Sequence, residues 1–184
     1  MTAMTATAAP SAFPAGFRPA ARALLLDHDD RVLLVRFEFP GRTVWATPGG
    51  GIEPGEDVEQ ALRRELVEEV GLHDPDIGPH LWTRTIRARE PIGPWIGQSE
   101  VVHLVRVAPF EPAPALSWEQ LRQEFVHEIR WWSLAELDGL GTEVATAPRR
   151  LVELVRDLLA QGPPRSEEHT SELQSLRHLV CRLL

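Results

Sequence analysis

Three glutamates whose spacing places them on one side of a helix are the residues best suited to chemistry in this sequence. Glu65, Glu68 and Glu69 stand at positions i, i+3 and i+4, and the 3.6-residue turn of a helix brings such side chains together. Like charges at these spacings weaken an isolated helix by about 0.2–0.5 kcal/mol per pair, and Arg64, four residues before Glu68, offsets only part of that. A divalent cation explains the cluster, because Mg²⁺ binds carboxylate oxygens together with substrate phosphates and water.

The turn before this helix favours the same chemistry. Thr47-Pro48-Gly49-Gly50-Gly51 and Pro54-Gly55 let the backbone approach a ligand without Cβ atoms in the way. The turn is neither a P-loop nor a dinucleotide fingerprint, since G-K-[ST] and the G-x-G-x-x-G spacing are missing. The alternative is a solvated acidic helix face. A metal site predicts instead that, without the cation, mutual repulsion raises the pKa of one or more of the glutamates.

The ends of the helix are marked by local signals. Asp57 followed by Gln60 forms a capping box, and Gly71 suits the left-handed residue that ends a helix. These signals predict a helix over Val58–Val70. Its core face carries Val58, Leu62, Leu66 and Val70.

The segment Gly50–Leu72 resembles the signature of the Nudix hydrolases, G-x5-E-x7-R-E-U-x-E-E-x-G-U with U aliphatic. Every defined position matches, namely Gly50, Glu56, Arg64, Glu65, Leu66, Glu68, Glu69, Gly71 and Leu72. The resemblance implies an α/β fold of the Nudix type, an α/β/α sandwich around a mixed sheet. It also implies Mg²⁺- or Mn²⁺-dependent attack of water on a pyrophosphate bond, in a nucleoside diphosphate joined to another group.

The resemblance assigns roles to residues by position. Glu65, Glu68 and Glu69 are expected to bind metal, and one of them, or a carboxylate from elsewhere, deprotonates the water; Glu65 is the first choice. Arg64 orients a catalytic glutamate, and Glu56 is a supporting group.

Further roles fall outside the helix. The carbonyl of Gly49 is expected to complete the metal shell, while Gly50 and Gly51 let the substrate approach. Members of the resembled family often carry an acidic residue just before an aromatic strand, where it reaches the metal. Glu128 or Glu124 fits that position here, and the alternative for Glu128 is a surface salt bridge.

The remaining chain supplies the elements that must position these residues. Predicted strands are Ala21–Leu26 and Arg31–Phe37, which form a hairpin, then Val44–Thr47, Leu81–Arg89, Glu100–Val107 and His127–Trp132. Predicted helices are Trp118–Val126, Leu134–Leu137 and an amphipathic Ala147–Ala160, and Pro109–Pro114 is a linker. Trp45 is expected in the core. The loop Pro91–Gly97 is a candidate substrate lip in which Trp95 either stacks on a base or anchors the loop.

Composition sets limits on the class of protein. A chain of 184 residues with 43% apolar composition suits one domain, expected at 18–162, after a disordered leader at 1–17. The net charge of −8 argues against a nucleic-acid-binding surface, and no apolar stretch is long enough to cross a membrane, so we expect a cytoplasmic protein.

The tail 163–184 is expected to be disordered or non-native, because 165–175 resembles a translated sequencing adapter; the alternative is an amphipathic helix at 171–184. Cys181, the single cysteine, lies there, so no intrachain disulfide is possible.

Candidate substrates are nucleoside triphosphates, nucleotide sugars and ADP-ribose. The absence of tyrosine disfavours dinucleoside polyphosphates, whose hydrolases carry a downstream tyrosine as a marker. Two other functions are weighed against hydrolysis: a non-catalytic module that senses nucleotides or ADP-ribose, and an isomerase of isoprenoid diphosphates. The isomerase needs a cysteine nucleophile, which only Cys181 supplies. Homodimers are common in the resembled family, so the resemblance implies a homodimer as one alternative for the oligomeric state.

Overall fold

The computed structural model describes residues 13–140 and 144–164. Most of the predicted leader and the tail from 165 onward, with Cys181, lie outside the described residues. The strands are β1 (Phe17–Leu26), β2 (Val32–Phe39), β3 (Arg42–Ala46), β4 (Gly49–Gly51), β5 (His80–Ile92), β6 (Trp95–Arg106), β7 (Val126–Trp132) and β8 (Ala145–Ala147). The helices are α1 (Val58–Val70), α2 (Trp118–Gln123), α3 (Leu134–Asp138) and α4 (Leu151–Gln161).

The strands form one mixed sheet. Its order is β5-β6-β1-β2-β3-β8, with β4 paired to β1 and β7 paired to β2. β1 runs parallel to β6, from Phe17 opposite Gly97 to Leu26 opposite Arg106, and β3 runs parallel to β8, whereas the other pairs are antiparallel. Helices pack on both faces, so the predicted α/β/α sandwich is confirmed. None of the helices in 13–140 and 144–164 is long and apolar enough to cross a membrane.

Hydrophobic side chains fill both faces of the sheet, because β1 and β2 carry continuous apolar runs rather than alternating ones. The face toward α1 contains Ala21, Ala23, Leu25, Leu33 and Val35 with Leu62, Leu66 and Val70 of the helix. The face toward α3 and α4 contains Leu24, Leu26, Val32, Leu34 and Trp45 with Leu137, Leu151, Val155 and Leu158. Trp45 meets Trp132 edge-on, with ring centroids 4.9 Å apart, so its predicted core position is confirmed.

Helix α1 begins and ends where the sequence predicts. The Asp57 carboxylate accepts from the Gln60 amide at 2.8 Å, and the Gln60 side chain accepts from the Asp57 amide at 2.9 Å. Gly71 adopts φ 72°, and a Cβ there would collide with the carbonyl of Ala113. Only glycine therefore fits the end of this helix.

The end of the predicted linker and the two residues that follow it are bonded to the end of α1. Their amides satisfy carbonyls of the last helical turn that have no partner within the helix. The pairs are Ala113 to Val70, Ala115 to Val67 and Leu116 to Glu68, at 3.1–3.2 Å. We call the segment 112–116 the strap.

Several predicted boundaries are wrong. The predicted helix Trp118–Val126 ends at Gln123, because Phe125 adopts φ 66° and Val126 begins β7.

The expected lip over Pro91–Gly97 is a hairpin in which β5 continues to Ile92 and β6 begins at Trp95, leaving a two-residue turn. Gly93 at φ 58° supplies the left-handed residue that such a tight turn needs.

The amphipathic helix α4 starts at Leu151 rather than Ala147, because 145–147 pairs with β3 as strand β8. The proline at 148 also disfavours helical geometry in the residue before it. The β1–β2 hairpin is present but is paired only at Leu26 and Val32, since most residues of β1 pair with β6 and β4 instead.

Candidate active site

The glutamates of α1 face the glycine strand β4. Glu65 and Glu69 are 7% and 2% exposed, and Glu68 is partly exposed. A solvated acidic face would leave all three side chains in water, so burial of two of them contradicts that alternative. The cluster lies at one wall of a large open cavity that is also lined by all three glycines of β4.

Glu69 is the most deeply buried carboxylate of the cluster. Its Oε2 accepts a hydrogen bond of 2.7 Å from the Gly49 amide. Burial raises the pKa of Glu69 to about 8, despite the opposing Arg22 charge and the Gly49 amide, with smaller contributions from Glu65 and Glu124 that raise it further.

Glu65 occupies space that only glycine leaves open. A Cβ on Gly50 would lie 2.5 Å from the Glu65 carboxylate oxygen. Burial raises the pKa of Glu65, while a hydrogen bond of 2.8 Å from Arg64 Nη1 opposes that rise. The pKa of two glutamates therefore rises as predicted, but burial is a larger cause than the repulsion between carboxylates.

Arg64 joins three carboxylates. Its guanidinium binds Glu56 through two parallel bonds of 2.8 and 2.9 Å, and it contacts Glu65 at 2.8 Å and Glu68 at 3.2 Å. Nη2 also donates to the Gly51 carbonyl at 2.9 Å. The bidentate bond holds the pKa of Glu56 down at about 2. Arg64 thus has the contact with Glu65 that an orienting role requires.

The fit of a metal ion follows from the donors. In 13–140 and 144–164, no three Asp, Glu, His or Cys side chains converge on one point, since Arg64 engages oxygens of Glu65 and Glu68. The oxygen donors nevertheless suit a hard divalent cation. The raised pKa of Glu65 and Glu69 means that the surrounding side chains supply less positive charge than two ionised carboxylates need. A bound cation fits that deficit.

Strand β6 contributes to the cavity lining a third buried carboxylate, which sequence reasoning missed. Glu100 is 2% exposed and accepts bonds from Arg84 Nε at 2.6 Å, Gln98 Nε2 at 3.0 Å and Arg22 Nε at 3.3 Å. Burial raises the pKa of Glu100, but the charges of Arg22 and Arg84 outweigh burial and hold it below its ordinary value. Arg22 Nη1 also donates to the carbonyl of Thr47, just before β4, at 2.9 Å.

The two acidic candidates from the second half of the chain separate in the structure. Glu128 binds Arg36 Nε at 2.9 Å with a side chain 44% exposed, and it lies outside the cavity lining. Glu124, at the end of α2, lines the cavity, and its charge contributes to the raised pKa of Glu69. The structure therefore places Glu124 rather than Glu128 beside the carboxylate cluster.

Aromatic side chains line the same cavity beyond the carboxylates. Trp95 is half-buried at the start of β6 and lies on the cavity wall. Phe37, Phe39 and Phe125 line another part of the wall, and the sequence offered no spacing that would have grouped them.

Comparison with known proteins agrees with this geometry. The family model described as NUDIX domain matches residues 16–155. The nucleoside triphosphatase NudI of Escherichia coli is 32% identical over 129 residues, which cover 66% of this chain and 86% of that protein. An RNA pyrophosphohydrolase of Teredinibacter turnerae is 48% identical over 62 residues, covering 34% of this chain and 36% of that protein.

Solved structures show the same fold. The NUDIX domain of Shewanella oneidensis NrtR, in complex with ADP ribose, is 26% identical with a TM-score of 0.59, covering 84% of this chain and 95% of that one. A MutT NUDIX hydrolase from Burkholderia pseudomallei, at 24% identity and a TM-score of 0.55, covers 75% of this chain and 97% of that one.

Proposed function

The chain belongs to the Nudix family of hydrolases, and we propose that it cleaves a pyrophosphate bond in a nucleoside diphosphate joined to another group. The observation that carries this proposal is the pair of buried glutamates, Glu65 and Glu69, held against the glycine strand. Carboxylates this buried are costly to ionise, so they gain most from a cation that the substrate or solvent brings.

The cofactor of the proposed reaction is Mg²⁺, with Mn²⁺ as the alternative. Glu65, Glu68, Glu69 and the Gly49 carbonyl are the groups that would hold it. When bound, the cation neutralises pyrophosphate charge and lowers the pKa of a water molecule.

The side chains around the cation site have separate roles in the proposed reaction. Arg64 fixes the Glu65 carboxylate at 2.8 Å, so that Glu65 is oriented to accept the proton of the attacking water. The Gly49 amide holds one oxygen of Glu69. On strands β1 and β5, Arg22 and Arg84 line the cavity and supply positive charge for the substrate phosphates.

Nucleoside triphosphates are the first substrate class that we propose. The support comes from the Escherichia coli relative, which is named a nucleoside triphosphatase and aligns over most of its own length. Nucleotide sugars and ADP-ribose are the next classes, and the bound ADP ribose in the NrtR domain supports the latter.

A second candidate function is binding without cleavage. The likeness to the NrtR domain with its bound ADP ribose favours it. The complete set of Glu65, Glu68 and Glu69 with Arg64 favours turnover instead, because binding alone needs no group to accept a proton from water.

The test is turnover with Mg²⁺ across nucleoside triphosphates, nucleotide sugars and ADP-ribose, each measured with the wild-type chain and Glu69→Gln. Products are separated by chromatography, because cleavage of ADP-ribose or a nucleotide sugar gives two phosphate monoesters and no free phosphate. We expect one class to be turned over, and we expect Glu69→Gln to lower kcat by about 10²–10⁴-fold with a circular dichroism spectrum like the wild type. Binding of a substrate by calorimetry with no turnover in any class would favour the second candidate. Turnover by Glu69→Gln at the wild-type rate would remove the assignment of this residue.

A further inference from the structure

An exposed phenylalanine in a strained backbone conformation stands on the cavity wall. Phe125 follows α2, has 45% of its surface exposed and lines the cavity. Its φ of 66° lies in the left-handed region, which a bulky residue rarely adopts. Glycine or asparagine would satisfy this backbone at lower cost, and neither would expose an aromatic ring to water.

The backbone around Phe125 enforces this conformation. Its amide donates to the Arg122 carbonyl at 3.0 Å, and its carbonyl accepts from the Glu38 amide of β2 at 2.9 Å. These bonds hold the backbone of the turn to α2 and to β2, so the ring projects from an anchored turn rather than from a free loop.

Phe125 is the last of three phenylalanine rings in contact, a row that begins near the carboxylates. Its ring lies 5.2 Å from that of Phe39, tilted by 37°, and Phe39 stacks on Phe37 at 6.1 Å with 5° between the planes. The guanidinium of Arg22 lies 5.6 Å from the Phe37 centroid. Arg22 is also the arginine whose charge acts on Glu65 and Glu69, so the row of rings begins beside the carboxylate cluster and ends at an exposed ring on the cavity lining.

We propose that Phe125, supported by Phe39, is the stacking surface for the nucleobase of the substrate, an inference that rests on the proposed function for the nature of the ligand. A base on this surface places its phosphates toward Arg22 and the α1 glutamates. Glu124, the residue before Phe125, contributes to the raised pKa of Glu69, so this turn lies near the carboxylate cluster.

The chemistry of the ring predicts the selectivity. Phenylalanine has no hydrogen-bonding group, so it recognises the face of a base and not its edge. Purines, with the larger ring system, should therefore bind more tightly than pyrimidines.

The test uses the fluorescent nucleotide 1,N6-ethenoadenosine diphosphate, whose binding needs no turnover, and tripolyphosphate as a probe without a base. The variants are Phe125→Gly and Phe125→Asn, since both residues suit the left-handed backbone. Trp118→Ala is the matched control, because Trp118 is exposed to a similar degree, 43%, and does not line the cavity.

We expect both Phe125 variants to raise the Kd of the fluorescent nucleotide roughly 10-fold and to leave the Kd of tripolyphosphate unchanged. Their Tm should be equal to or above that of the wild type, since strain is relieved. Trp118→Ala should leave both Kd values unchanged.

Equal nucleotide affinity in the wild type and in Phe125→Gly would overturn the inference, as would equal weakening of both probes. A Tm that falls by about 4 °C or more in both variants, with unchanged affinity, would assign Phe125 to packing instead. These outcomes are separate from the proposed function, because a chain that binds the nucleotide through Phe125 yet cleaves none of the panel refutes hydrolysis alone.

Discussion

Two glutamates that line one cavity, one on α1 and one on β6, are equally buried and have pKa values shifted in opposite directions. Glu69 and Glu100 are each 2% exposed. Burial raises the pKa of Glu69 to about 8, whereas Arg22 and Arg84 outweigh burial at Glu100 and hold its pKa below the ordinary value.

The difference lies in the partners and not in the depth. Glu100 receives side-chain hydrogen bonds from two arginines and a glutamine, so its charge is compensated within the fold. Glu69 receives one backbone amide, and Arg22 acts on it only through its charge. The Glu100 carboxylate is therefore compensated without a ligand, whereas we expect a cation to compensate Glu69.

Removing each carboxylate charge gives the sharpest test of this comparison. Glu100→Gln leaves Arg22 and Arg84, which are partly buried, without their counterion, so we expect the free energy of unfolding to fall by about 2–4 kcal/mol in urea titrations. Glu69→Gln in metal-free buffer should be as stable as the wild type or more so. If Glu69→Gln is the less stable of the two variants, the comparison fails.

Gly50→Ala tests whether the position of the Glu65 carboxylate matters for turnover. The new Cβ would stand 2.5 Å from the Glu65 carboxylate, and the flexible end of that side chain has to move. We expect kcat to fall by about 10²-fold, because a carboxylate displaced by about 1 Å no longer meets the substrate correctly. Tm should change by only a few degrees. A Gly55→Ala control, at a glycine whose Cβ would meet nothing within 4 Å but whose φ is 94°, separates backbone strain from displacement.

The two walls should also respond to pH in opposite directions. The raised pKa of Glu69 means that its contribution to stability is fully present below its ordinary pKa near 4.5 and is lost as pH rises through about 8. Between pH 6 and 9 in EDTA, the wild type should lose about 1–3 kcal/mol more stability than Glu69→Gln. Adding Mg²⁺ should remove most of that difference.

Glu100 predicts the reverse dependence. Its pKa is lowered, so its contribution is present above the ordinary value and is lost as pH falls through the folded value. Parallel slopes in acid for the wild type and Glu100→Gln would contradict this assignment.

The smallest effect is expected at the rim of the cluster. Glu56 anchors Arg64 through two bonds but is more exposed than Glu65, and water can replace part of its contact. We expect Glu56→Gln to lower kcat by roughly 2- to 10-fold with little change in KM, since Arg64 keeps its bonds to Glu65 and Gly51. Steady-state kinetics on the best substrate of the panel provides the measurement. A loss as large as that of Glu69→Gln would make Glu56 part of the reacting cluster.

The wall formed by α1 could be predicted from sequence because its signals are local. The capping box at Asp57, the left-handed Gly71 and the spacing of the three glutamates all lie within one helix and its turns. The burial of Glu65 and Glu69 could not be predicted from these local signals, since it depends on β1 and β4 packing against that helix.

The other wall could not be predicted because it depends on strand register. Arg84 lies opposite Glu100 in a register that depends on the two-residue turn and on an irregularity in the pairing between Arg87 and Ile92. The expected loop over 91–97 left that register undefined. Glu128 shows the same limit: its partner Arg36 lies across a strand pair, and no spacing in the sequence joins the two.

The strap also has a consequence for association between chains. Its amides at Ala113 and Ala115 point toward α1, and the alternate positions, Pro112 and Pro114, have no amide hydrogen to offer. An extended segment normally exposes a row of donors that a strand from another molecule can pair with. Here the outward side of 112–115 offers carbonyl acceptors but no amide hydrogen. An incoming strand therefore finds only half of the hydrogen bonds of an ordinary sheet edge, which disfavours edge-to-edge aggregation.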